Sequence, residues 1–444
     1  MREQYRSYAL GTQPKWLSEY ISSIDFDLYI CEYVLDVLRE HVKELRRQGY
    51  VSENSEMELI RAIDDFDCTA RLKGYEDVHE AIEYFVSKLT NAGKWLNLGK
   101  SRNDQVATAL RARNKEEILD AIDSIRILIL EFLSKASAYE DVPFPTFTHF
   151  QHAQPTTFGH YLLSFAEELV DLIDGLKYAY EISDLCPYGS AAVAGSTVRL
   201  DRIRVCKNLK FKNVAFNTIY ATTSRNFILV SLDSISQVTS VLLRFIEDMF
   251  LYSNPALNLV EVPSSHAGTS SIMPHKRNPA TLEIARAELL KVYFIREYAY
   301  ALLKGLPSGY ALDLQQLSPV VWEAYRTFRR SVTVISDFVR EVEIGDGIKD
   351  IWKYPLRAAD LAEAISVSKG VPFRDAYATV ARGLKEGKSV EELSKEVLGI
   401  ELPDPITSRR NAGSPGNLDP IKRKVIERLR KIICETSARW NELI

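Results

Sequence analysis

Ser101-Arg102-Asn103-Asp104-Gln105-Val106 opens a stretch that continues to Ala136, and along it Ile118, Ile122, Ile125, Ile129, Phe132 and Ala136 fall in steps of four and three. That alternation is the seam of a helix packed lengthwise against others. Between Ser101 and Lys135 such a helix would run roughly 50 Å at 1.5 Å per residue. Four more segments share its character, near 157–181, 224–251, 279–304 and 315–343. In the last, Val321, Ala324, Phe328, Val332, Ile335, Val339 and Val342 make the stripe. Five long helices predict an all-α fold built on an elongated bundle. Their stripes are more apolar than one monomeric bundle requires, which points to association with further subunits.

Shorter helices flank the bundle. Leu28, Cys31, Leu35, Leu38, Val42 and Leu45 lie on one helical face that Gly49 ends, and further stretches follow near 53–70 and 77–89. After Gly345-Asp346-Gly347 come helical patterns near 355–369, 372–387 and 420–443, with 409–416 as loop. Three helical domains are therefore expected: 1–100, 101–345 as the long-helix bundle, and 346–444. Between 184 and 223 the periodicity fails around Gly189 and Gly195, a long connection with room for a short hairpin.

The chain has 444 residues and a net charge of −4, with acidic and basic residues nearly balanced. Nothing in that balance favours a nucleic-acid or membrane partner. No apolar run of membrane-spanning length and no signal-peptide core is evident, so a cytoplasmic protein is expected. The five cysteines are scattered, without C-x-x-C spacing, and read as small buried residues of a reducing compartment, not a disulfide framework.

Three segments carry chemistry. Residues 264–279, SSHAGTSSIMPHKRNP, gather hydroxyls, Lys276 and Asn278 immediately before a helix that starts at Pro279. Unpaired N–H groups and the positive dipole end there favour an anion, although a capped surface loop would look similar. Ser101 and Asp104 form an S-x-x-D capping box, while Arg102 and Asn103 stand ready for a carboxylate at the same helix start. His149, His152 and the more distant His160 fit no established zinc spacing, so no metal is expected.

These segments resemble those of the fumarase/aspartase superfamily. Ser270-Ser271-Ile-Met-Pro-His-Lys-Arg-Asn-Pro is similar to its signature loop, and Thr148-His149-x-Gln-x-Ala-Gln-Pro to its histidine motif. Ser-Arg-Asn-Asp-Gln-Val resembles the form typical of the argininosuccinate lyases, as do Ser22–Asp27, Asp77-Val78-His79 and the stretch from Ala359 to Arg374. The resemblance covers about residues 20 to 440. It implies elimination of fumarate from argininosuccinate to give arginine, with no cofactor, in a homotetramer whose sites each draw on three subunits. His149 and Ser270 would be the acid/base pair, Lys276 the charge that stabilises the intermediate, and Glu283 the acid paired with the histidine. Ser23, Asp77, His79, Ser101, Arg102, Asn103, Thr148, Asn278, Tyr310 and Gln315 would bind substrate.

The mechanism implied removes a proton beside a carboxylate, so the developing aci-carboxylate needs concentrated positive charge. The guanidinium leaving group already carries its proton, which lightens the demand on the general acid. Histidine is the easier proton carrier at neutral pH, but the resemblance leaves open which of the pair takes the carbon proton. There are departures: Tyr8-Ala9-Leu10-Gly11 replaces a Trp-Gly-Gly-Arg start, Lys100 a common arginine, Thr269 a glycine, and Ser318 a lysine three positions after Gln315. The last bears on how the amino-acid end of the substrate is held. Two other readings stand beside this one. Adenylosuccinate lyase shares the loop but not Ser-Arg-Asn-Asp-Gln, and lens crystallins recruited from the family keep the fold without activity.

Overall fold

In the computed structural model, which describes residue 11 and residues 13–70 and 74–443, the long seam forms one unbroken helix. The helices used below are α1 (Cys31–Arg47), α2 (Glu53–Asp64), α3 (Val78–Leu89), α4 (Arg102–Ala138), α5 (Phe158–Ser183), α6 (Asn226–Tyr252), α7 (Ala280–Leu303), α8 (Leu317–Glu341), α9 (Ala358–Lys369), α10 (Phe373–Lys385), α11 (Val390–Leu398) and α12 (Asp419–Leu443). The strands are β1 (Pro143–Thr148), β2 (Gln151–Thr157), β3 (Leu185–Cys186), β4 (Asn213–Val214), β5 (Val260–Glu261), β6 (Gly268–Thr269), β7 (Arg277–Asn278) and β8 (Glu343–Ile344). They make only two-stranded pairs among the described residues, so the fold is all-α. The Tyr8–Leu10 departure lies outside the described residues.

The seam of α4 is buried as its spacing predicts: Ile118, Ile122, Ile125, Ile129, Phe132 and Ala136 are sealed from solvent. Each of these isoleucines, and Phe132, contributes about 1.5–3 kcal/mol by leaving water. Toward the end where α4 finishes, Phe132 stacks on Phe165 and meets Phe245 edge to face, and Phe245 does the same with Phe338. Four helices thus meet at one aromatic knot. Ser101 and Asp104 form the capping box, and Asp104 Oδ2 also accepts from the backbone N–H groups of Gly189 and Ala191. This carboxylate pins the long connection onto the start of α4.

Polar contacts fix the direction of each helix. Asn114 donates to Ser183 and Ser231 at 2.9 Å, and Lys115 reaches Asp184 at 2.6 Å, so α5 ends and α6 begins beside the fourth turn of α4, in the half nearer its start. At the other end Lys135 donates to the carbonyl of Val342 and Tyr139 to Glu343, so α8 finishes where α4 does. The bundle therefore has two distinct ends. One holds the starts of α4, α6 and α8, and the other holds their finishes with the 143–157 and 253–279 connections. Among the described residues α6 alone is long and apolar enough to cross a membrane, and 61% of its most apolar window is buried inside the protein.

Several expectations are corrected. Cys31 and Cys68 are joined as a disulfide, their Cα atoms 5.9 Å apart across 37 residues. Linear spacing gave no hint because the pairing depends on how the chain beyond α2 folds back over α1. The 184–223 connection holds a parallel pair, β3 with β4, and not a hairpin. A true hairpin, β1–β2, stands at 143–157, where none was expected. Pro143, Pro145 and Pro155 argue against strands, but a two-stranded ribbon has free edges that tolerate missing donors. α12 leaves its neighbours in sequence and lies against α5, with Lys424 on Glu167 and Asp171 and Arg428 on Asp174. α9, α10 and α11 enclose a core of their own around Leu361, Ile365, Val380 and Leu393.

Candidate active site

At the end where α4 starts, a cavity of about 160 Å³ is lined by Ser23, Asp77, His79, Arg102, Asn103, Tyr310 and Gln315, all singled out from sequence. Local hydrogen bonds build its wall. Ser23 N–H donates to the Glu76 carbonyl, and Ser23 Oγ to Asp27 Oδ2 at 2.8 Å. Val78 N–H donates to the same Asp27 oxygen at 3.0 Å. Asp77 caps α3 by accepting from Glu80 N–H at 2.6 Å, and Glu80 returns a bond from Glu76 N–H at 2.8 Å. Gln315 donates to the carbonyl of Ile21 at 2.9 Å, fastening the approach to α8 onto the N-terminal segment.

The electrostatics are mixed in sign. Arg102 Nη1 lies 2.9 Å from Asp77 Oδ2 and 3.5 Å from Glu76 Oε2. Burial pushes Asp27 up to about 7, against the opposing Val78 N–H bond, and pulls His79 down to about 4. Burial likewise lowers the Lys100 ammonium to about 8, just outside this wall. His79 is thus neutral at pH 7, a small uncharged wall between charged ones. Ser101 was expected among the ligand contacts, but its hydroxyl accepts from Asn103 N–H as the cap of α4, and it is not among the residues lining the cavity.

Thr148, His149, Ser270, Lys276, Asn278 and Glu283 stand elsewhere, at the other end of the bundle. Thr148 pairs with Gln151, so His149 and Phe150 alone make the turn of the β1–β2 hairpin. Both are left-handed, with φ of 54° and 58°, as a tight two-residue hairpin turn requires. Such conformations usually go to Asn or Gly, and for bulkier residues cost of order 1–3 kcal/mol. The strain presents His149 at an exposed tip. Ser270 to Lys276 form an arch between β6 and β7, exposed from Ser271 onward and half-buried at Ser270, whose Oγ accepts from Met273 N–H at 3.1 Å. Gly268 is required where the arch closes, since a Cβ there would stand 2.9 Å from that of Ala280. Asn278 ends the arch, and Glu283 lies in the first turn of α7.

α4 has 37 residues and so spans about 55 Å from its Arg102 end to the hairpin end. Within one chain the two groups of residues are held apart by nearly that length. Three charged residues of the cavity, Asp27, Glu76 and Arg225, were not among those expected from sequence. Asp27 and Glu76 adjoin motifs that were noticed, whereas Arg225 carried no signal.

Residues 50–293 match the profile of the lyase family, the class of enzyme that this helical frame and split set of polar residues define. An argininosuccinate lyase of Sulfolobus acidocaldarius is 37% identical over 91% of this chain and 88% of its own. One of Pyrococcus furiosus is 33% identical over 99% and 97%. The chain belongs to the argininosuccinate lyase family. Solved structures share the fold: an EDDS lyase in complex with formate has a TM-score of 0.80 at 20% identity, covering 97% of this chain and 93% of that one. A class II fumarase from Schistosoma mansoni reaches 0.74 at 17% identity, over 85% and 90%.

Proposed function

We propose that the chain cleaves argininosuccinate to arginine and fumarate. The carrying observation is the cavity itself, where Arg102 and Arg225 share a wall with Asp27, Glu76 and Asp77. Such a mixture suits a substrate that is a dicarboxylate at one end and an amino acid at the other. In this reading Arg102 and Asn103 hold succinyl carboxylates, the arginine by its planar fork. Tyr310, Gln315, Ser23 and Asp77 hold the remainder, and Thr148 and Asn278 complete the contacts.

His149 and Ser270 exchange the protons, with Glu283 beside the histidine and Lys276 stabilising the aci-carboxylate. Because the two groups lie a helix length apart in one chain, a working site brings the hairpin and the arch of other subunits to this cavity. A homotetramer sharing its sites among three subunits meets that need. Support for assembly comes from α7, which turns Ile284 and Phe294, 62% and 74% exposed, outward on one face. The separate core of α9–α11 supports a division near 345, and a cytoplasmic setting fits a soluble biosynthetic enzyme.

Fumarate release from argininosuccinate by the purified protein tests the reading, alongside the purine substrate adenylosuccinate. Turnover of the purine compound alone, or of neither, overturns it. His149→Asn and Ser270→Ala are expected to lower turnover by about 10²–10⁴-fold while light scattering still reports a tetramer.

A further inference from the structure

Arg225 immediately precedes α6 and is only 2% exposed, yet its guanidinium has no carboxylate partner among the described residues. Nη1 donates to the backbone carbonyls of Thr222 and Ser224 at 3.1 and 3.2 Å, and Nε is buried with no acceptor among the described residues. A buried ionised group is expensive unless it is paired. The expense is greater here because a second buried guanidinium, Arg111, lies close enough to repel it and leaves its own Nε and Nη2 without acceptors. Burial lowers Arg225 to about 10, still charged at neutral pH. Arg102, the other arginine of the cavity, is by contrast held by Asp77 and Glu76. Ser318, 6% exposed at the start of α8, lines the same cavity with a neutral hydroxyl.

An amino-acid substrate brings an α-carboxylate that must meet a cation once water is excluded. We propose that Arg225 receives the α-carboxylate of the arginine moiety on the face of the guanidinium that carries Nε–H, which has no acceptor among the described residues. This assignment rests on reading the cavity as a site for argininosuccinate. It goes further in giving the chain an anchor for the amino-acid end where α8 offers only Ser318. A partner carboxylate from another subunit is the competing explanation for Arg225.

The test uses the assembled enzyme with arginine and agmatine, which is arginine without its carboxylate, as product inhibitors of fumarate release. No turnover of argininosuccinate overturns the functional reading, a result separate from anything Arg225 does. With turnover present, arginine is expected to inhibit wild type about 30- to 100-fold more tightly than agmatine, and equal inhibition overturns the proposal. Arg225→Gln is expected to abolish that preference and to raise KM for argininosuccinate by a similar factor, with kcat changed only a few-fold. Ser318→Lys in the Arg225→Gln background is expected to restore at least part of the preference by returning a cation to the cavity. Equal weakening of both inhibitors identifies Arg225 as a structural partner and sinks the assignment. Should Arg225→Gln not fold, Arg225→Lys is read the same way, a selective loss for arginine supporting the proposal and an equal loss overturning it.

Discussion

Arg102 Nη1 stands 2.9 Å from Asp77 Oδ2, so the first residue of the longest helix is clasped by the N-cap of α3. One carboxylate therefore has two tasks, capping a helix and orienting a guanidinium at the cavity. The two are separable by substitution. Asp77→Ala removes both, and is expected to lower stability by about 1 kcal/mol and to raise KM. Asp77→Asn keeps a good cap but loses the charge, so its melting temperature should stay near wild type while KM still rises. Thermal melts beside steady-state kinetics check this; equal melting losses in the two variants would count against it.

The separation of the two polar groups along α4 makes a prediction about mixtures. A variant broken at the hairpin, His149→Asn, and one broken at the cavity, Arg102→Gln, should each be nearly inactive. Dissociated, mixed and reassembled, they should regain a fraction of wild-type activity, because some sites then receive an intact hairpin and an intact cavity from different chains. If each chain holds a complete site, mixing recovers nothing.

Asp27 gives the folded chain a pH dependence of known sign. Its carboxyl is raised from 3.8 to about 7, chiefly by burial, so the folded state keeps a proton that the unfolded chain releases. The associated stability is full below 3.8 and is lost as pH rises through 7, at up to about 1.4 kcal/mol per unit within that window. Asp27→Asn lacks this dependence. Urea titrations at about pH 5 and pH 8 should show wild type losing more stability than the variant on going to the higher pH. A constant difference between the two proteins would remove Asp27 as the source.

The Cys31–Cys68 bridge closes a separation of 37 residues. On loop entropy it is worth about 4 kcal/mol. Reductant, or Cys68→Ser, should lower the unfolding midpoint of the N-terminal helices. Free-thiol titration of the denatured protein provides the direct check: three reactive thiols, Cys186, Cys206 and Cys434, are expected without reductant. Five would show that the bridge does not form.

Legibility in the sequence varied with the range of the interaction. The long helices were readable within a few residues because α4 and α8 repeat their apolar positions in register with the turn. The Ser101 box was readable because both partners lie within one turn. α11 went unnoticed despite a similar box, Ser389 with Glu392, since only nine residues follow it. The hairpin was hidden because His149-Phe150 lacks the Asn or Gly that marks a two-residue turn.

By itself the sequence determined the all-α class, the helix spans and the family motifs, because periodicity, caps and short motifs are written in neighbouring residues. Tertiary structure alone decided that Arg102 and His149 stand at opposite ends of one bundle, that Cys31 meets Cys68, and that Arg225 is buried with no carboxylate partner among the described residues. Those outcomes depend on which way each helix runs and which loop covers which end. Distances between residues remote in the chain are set by packing, and no local pattern records them.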